Sequence, residues 1–351
     1  MRGRRLDRSL TMADALADEI GEWIAARRAD SRFHRFSGHF PVLSTVLGEM
    51  LRAVRSAYLS TDDFARPDRC QLVVRRIFEW YSAKYDQRLS SRWAPVLAAA
   101  DEVVRSCWAQ PFSVLGRTPP TGPLAYVEHR FDAFATPRVS VPVDLRAPAD
   151  AEAASYVKEL PIPAICLPAW SAFESWWLGL VAHEVGHHVQ LDLDLEAATR
   201  DLLGDDRRFA REVFADAWSV LMIGPGASWL VAELGGPEQA VGGYPPLSVR
   251  LSHMRGHPLQ ELGLDRLAGS FDVGGWPSAL RRPDPLLVKL GDLPAARRLL
   301  AAAFAGELTP VVHENLLKAL PKCGPEGTLG AVPRPDVKRL AADLAGRLVR
   351  V

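Results

Sequence analysis

The segment that most constrains this chain is residues 161–190, where its most apolar stretch runs into His183-Glu184-Val185-Gly186-His187. Imidazoles and a carboxylate set among Trp177, Leu178, Val181 and Val185 need polar partners if they are buried. The stretch is not a membrane span. A spanning helix needs about 20 largely uncharged residues, and this one contains Glu174 and several prolines before it meets His183. Ser171-Ala-Phe-Glu174 has the form of a capping box, so the spacing predicts one helix from Ser171 to Gln190.

On a helix, residues i and i+4 lie one above the other. Imidazoles at 183 and 187 therefore converge on one Zn²⁺, at about 2.0–2.1 Å each. Glu184 is offset by about 100°. It does not join as an equal third ligand, but its carboxylate reaches a water on the metal. The metal lowers that water's pKa to about 7, and the carboxylate takes its proton. With nine histidines in the chain, a chance HExxH is on the order of one or two in a hundred. The competing reading is a pair of core histidines. His188, about 140° from His183 on the wheel, reads as solvated or as support behind the site.

A third histidine six residues on, with Gly three residues after the second, defines one class of zinc peptidase. Those positions here are Leu193 and Gln190, which excludes it. The alternative third ligand is a Glu from a second helix, and Arg211-Glu212-Val213-Phe214-Ala215-Asp216 supplies it 25 residues after His187. Asp216 follows Glu212 at i+4 and is placed to accept the free ring N–H of a ligating His. Phe209, Val213, Ala217 and Val220 give that helix a packing stripe. Two other readings stand beside this one: Glu196 as the ligand, and Glu212 on a solvated face paired with Arg208 at i−4.

HExxH followed by ExxxD, both on helices, resembles the zincin peptidases with two His ligands and one Glu, the gluzincins. Glu-Val-Phe-Ala-Asp followed by Tyr244-Pro-Pro-Leu-Ser-Val-Arg250 looks like the HtpX-like and prenyl-protease-like branch. Members there show His-Pro-x-x-x-x-Arg after the Glu helix. This chain keeps Pro245 and Arg250 and has Tyr244 in place of that His. The resemblance covers roughly residues 171–255. It implies a zincin-like core, one zinc per chain and a peptide or protein substrate.

Three side chains could stabilise a developing oxyanion opposite the metal: Tyr244, Arg250 and His253. The last two share a face of a short helical run, Leu247 to Met254. Short β-like runs cover Leu124 to Glu128, Arg138 to Leu145 and Ile162 to Leu167. The last reads either as a sheet edge that takes substrate as an added strand or as a core strand that buries Cys166. Trp170, Trp176 and Trp177 read as core, or as the lining of an apolar pocket.

Residues 12–108 carry repeated i, i+4, i+7 stripes such as Leu16, Ile20 and Trp23, the mark of amphipathic helices. Helical patterns return at Leu293–Ala305 and Asp336–Val351. We therefore expect an α+β, predominantly helical fold: an N-terminal helical region over 1–110, a zincin-like catalytic core over 111–260, and a C-terminal helical region over 261–351. The basic start, with Arg2, Arg4, Arg5 and Arg8, reads as a disordered tail. No apolar run follows it, which argues against a signal peptide. Cys70, Cys107, Cys166 and Cys323 form no CxxC pair and read as free thiols of a reducing compartment, so the expected location is cytoplasmic. Lys plus Arg and Asp plus Glu are 42 each, and this balance argues against general nucleic-acid binding.

The expected function is zinc-dependent hydrolysis of a peptide bond. His183, His187 and Glu212 bind zinc, Glu184 acts as general base and then as acid, and Asp216 orients a ligand. The alternative is a catalytically inactive zincin acting as a protein-binding or regulatory module. The intact Glu184 argues against it, because a binding module has no use for a general base.

Overall fold

A computed structural model of the chain describes residues 2–130, 132–256, 259–270, 272–282 and 290–350. Helices carry most of these. In chain order they are α1 (Arg2–Ala29), α2 (Phe40–Ser60), α3 (Ala65–Asp86), α4 (Ala94–Val114), α5 (Ala151–Val157), α6 (Gly179–Asp192), α7 (Glu196–Leu203), α8 (Ala210–Ile223), α9 (Gly226–Leu234) and α10 (Leu247–Gly256). There follow α11 (Leu264–Ala268), α12 (Trp276–Leu280), α13 (Ala295–Phe304), α14 (Pro310–Cys323) and α15 (Arg334–Arg350). Among the described residues no helix is long and apolar enough to cross a membrane.

The chain divides into two compact units. One gathers Met1–Tyr85, Arg138–Ile162 and Thr328–Val351; the other gathers Asp86–Pro137 and Pro163–Gly327. Sequence segments 1–110 and 261–351 thus each contribute to both units.

In the first unit the basic N-terminus is not a tail. It is the opening of α1, anchored downstream by buried Leu16, Ile20 and Ile24. Once such a stripe nucleates a helix, each further residue adds a hydrogen bond at little cost. Arg5 also pairs with Asp68 at 2.5 Å. The C-terminal α15 packs on α2 through Val337, Ala341 and Leu344. Val351, which closes the predicted last helix, lies outside the described residues.

The second unit holds the sheet and the HExxH segment. Strands β1 (Leu124–Glu128), β2 (Phe134–Thr136) and β3 (Ala164–Pro168) lie in the order β1-β3-β2. β1 runs parallel to β3, with Tyr126 opposite Cys166. β2 runs antiparallel to it, with Ala135 opposite Ile165. Two strand expectations change. The run Arg138 to Leu145 is not a strand: Pro142 has no N–H to give a ladder, and Val139 takes φ 62°. The short β2 before it forms instead. The run at 162–167 is the central strand, buried along its length, so it is not an edge for substrate.

The predicted capped helix is also shorter. Residues Ala169–Ala172 and Ser175–Leu178 form two 3₁₀ turns, and the α-helix starts at Gly179. Glu174 does not reach back to Ser171. Its carboxylate accepts the indole N–H groups of Trp176 and Trp177, at 2.9 and 3.2 Å. The capping box fails because its acid has better local donors.

α6 packs on α8. Gly186, the fourth residue of HEVGH, sets how close they come. A Cβ there would lie 2.8 Å from the Ala215 Cα and 3.2 Å from its Cβ. Gln190, one turn further on, donates to Thr199 Oγ1 and to the Ala210 carbonyl, both at 3.2 Å. This ties the end of α6 to the start of α8.

Candidate metal centre

The close approach of α6 and α8 places one ligand-bearing face of each opposite the other. His183 and His187 lie one turn apart on α6, and their rings meet edge to face at 4.9 Å between centroids. On α8, Glu212 and Asp216 are likewise one turn apart. His183 Nε2 lies 3.5 Å from one Glu212 oxygen, and His187 Nε2 lies 3.8 Å from the other. One ligand atom from each of the three residues falls within 4.8 Å of the rest. Donors about 2.0–2.1 Å from a tetrahedral ion stand about 3.3 Å apart, so this tripod is near the required size. Two imidazoles and a carboxylate are donors that a divalent ion such as zinc takes.

Behind the tripod, Asp216 Oδ1 stands 2.9 Å from His183 Nδ1. A carboxylate there keeps a proton on Nδ1, so that Nε2 is the ring atom turned to Glu212 and His187. Arg250, from α10, grips Asp216 with two bonds: Nε to Oδ2 at 2.8 Å and Nη2 to Oδ1 at 2.6 Å. Its remaining Nη1 donates to the Tyr244 hydroxyl. One guanidinium thus links the carboxylate behind His183 to Tyr244.

Burial pushes the His183 imidazole down, but Asp216 and Glu212 beside it override this and lift it to about 10. Without an ion His183 is therefore a cation held between two carboxylates, and a bound ion would take the place of its Nε2 proton. Burial pushes His187 down to about 4, with the Glu212 carboxylate only partly opposing it. His187 is therefore neutral, the form that ligates. Asp216 is fully buried, which alone would raise it, but the Arg250 bonds hold it down near 2. Glu212 is lowered by His183 and His187 against its own burial. Without an ion, Arg250 and protonated His183 balance Asp216 and Glu212.

Glu184, next to His183 on α6, is buried and is not one of the three converging residues. Burial pushes its carboxyl up to about 7; His183 opposes this and Glu212 adds to it. The backbone of Ala135, in β2, pulls it down. This puts the sheet edge beside the prospective base.

The other candidates fall elsewhere. Tyr244 is held at the mouth by a two-residue turn, with paired Val241 and Tyr244 backbones, and is 37% exposed. Burial raises its hydroxyl to about 12, partly offset by Arg250, with Glu212, Asp216 and Glu184 adding to the rise. His253 faces Asp206, 3.1 Å away. Glu196 bridges Arg200 and Arg211 at the surface, so it is not a ligand. His188 is buried rather than solvated. The four cysteines are free and buried.

Gly186, Ala135 and the Gln190 tie were not picked out from the sequence. Only Gly186 carried a signal: a glycine inside a helix weakens it unless a neighbour must come close. No family model, curated protein or solved structure matches the chain.

Proposed function

We propose that the chain is a zinc-dependent peptidase whose ion is held by His183, His187 and Glu212. One observation carries this reading: an imidazole–imidazole–carboxylate tripod sits next to a separate buried carboxyl, Glu184, lifted to about 7. A purely structural zinc site has four protein ligands and no spare base. Three ligands and an adjacent carboxylate are the parts of a hydrolytic site.

When bound, zinc supplies Lewis acidity at the scissile carbonyl oxygen and makes an adjacent water acidic. Every other role falls to the chain. Glu184 takes one proton from the attacking water as its oxygen bonds to the carbonyl carbon. As the C–N bond breaks, Glu184 returns that proton to the leaving nitrogen. A pKa near neutrality suits a group that must do both. Asp216 holds His183 in the ligating tautomer, and Arg250 keeps Asp216 ionised. The Tyr244 hydroxyl is the donor available to a developing oxyanion; Arg250 is engaged behind the site and His253 is engaged with Asp206.

β2 is the edge on which an extended peptide would lie. One of its sides is paired to β3. On the other, the Ala135 backbone acts on Glu184, which puts the outer side of β2 by the base. A substrate strand there would carry its scissile bond past the base. The test is hydrolysis of a peptide mixture by zinc-loaded protein. Cleavage that disappears in Glu184→Gln while zinc stays bound supports the reading. Cleavage unchanged in that variant rejects it.

A further inference from the structure

Stepping one turn back along α6 from Glu184 reaches Leu180, about 5–6 Å away on the same helix face. Ala133 is the residue just before β2 opens at Phe134. The helix and the strand lead to one place. Ala133 packs against an apolar cluster of Trp177, Leu180 and Leu230, rimmed by Trp176 and Leu234. Trp176 stacks on Trp177 at 4.4 Å. It meets Trp229 edge to face at 5.6 Å and 79°. Trp229 is 44% exposed and Trp176 partly so. The result is a partly exposed pair of indoles set nearly at right angles beside Leu180 and Leu230, one helical turn from the base.

We infer that this corner takes the substrate side chain next to the scissile bond and selects an aromatic ring there. The inference rests on the peptidase reading, because its occupant is the peptide lying along β2. Two arguments fix the class of side chain. A ring entering the corner meets one indole face and one indole edge, the two arrangements aromatic pairs prefer. Second, both Trp176 and Trp177 have their N–H groups turned to Glu174, so they present carbon rather than donors to an occupant. An amide side chain would lose its water without gaining a partner, whereas enrichment of Lys or Arg, drawn by Glu174, would contradict the inference.

The experiment digests a randomised decapeptide mixture with zinc-loaded protein and maps the cuts by mass spectrometry, with Glu184→Gln as the blank. The expected result is enrichment of Phe, Tyr or Trp at one position adjoining the cut. Trp229→Ala should lower the ratio of aromatic- to alanine-flanked cleavage about tenfold, and Trp229→Phe should restore most of it. Trp229 is surface-exposed enough for both variants to fold. Glu184-dependent cleavage with a flat profile, or a profile that Trp229→Ala leaves unmoved, overturns this inference while the peptidase reading stands. No Glu184-dependent cleavage at all overturns both.

Discussion

Arg88 and Asp101 are as deeply buried as His183 and Glu184, in the same compact unit, yet the two clusters direct their bonds differently. Arg88 turns inward on Asp101 with bonds of 2.9 and 2.5 Å and adds the Ala125 carbonyl at 2.9 Å. Donors and acceptors there meet each other. In the α6–α8 cluster only the rear is closed in this way, by Arg250 on Asp216. The front atoms, His183 Nε2, His187 Nε2 and the Glu212 carboxylate, are turned toward a common point instead. Buried charge alone therefore does not make a candidate site; convergent ligand atoms with a closed pair behind them do.

Breaking each cluster should have a different consequence. The largest effect is expected for Glu184→Gln: turnover falls by about 10²–10⁴-fold, with zinc content and melting temperature unchanged, as read by kinetics and metal analysis. Arg88→Met should do the reverse. It strands a buried carboxylate and lowers stability by about 3–5 kcal/mol, read by urea denaturation. In whatever protein remains folded, zinc affinity should not change.

The α6–α8 face was legible because helical spacing alone aligns 183 with 187 and 212 with 216. That the two helices meet was expected from the ligand set; the contact that lets them come close, Gly186 on Ala215, was not legible, because it joins residues 29 apart in sequence. Gly186→Ala tests that contact. The added methyl should cost about 1–3 kcal/mol and weaken zinc binding, since the two ligand faces must separate.

Other features were hidden for different reasons. β2 is three residues long, too short to show alternation. The start of α6 was misread because Ser171 and Glu174 have the right spacing for a cap, and the indoles that claim Glu174 do not show in a cap pattern. Arg250 was visible as a candidate donor, but its partner Asp216 lies 34 residues away, and only the fold makes it a positioning residue. Asp216→Asn, which keeps the shape and removes the charge, should reduce zinc affinity about 10–100-fold, measured by competition with a chelating dye. The smallest effect is expected for Glu196→Ala. Its surface pairs with Arg200 and Arg211 should contribute within about 1 kcal/mol, and zinc binding should be unaffected.

The most direct test is the zinc content of purified protein after dialysis against a weak chelator, compared with that of Glu212→Ala. The account predicts about one zinc per chain in the parent protein and little in the variant, with both folded by circular dichroism. A parent that holds no zinc when supplied with it, or a Glu212→Ala variant that retains it as tightly, would contradict the account.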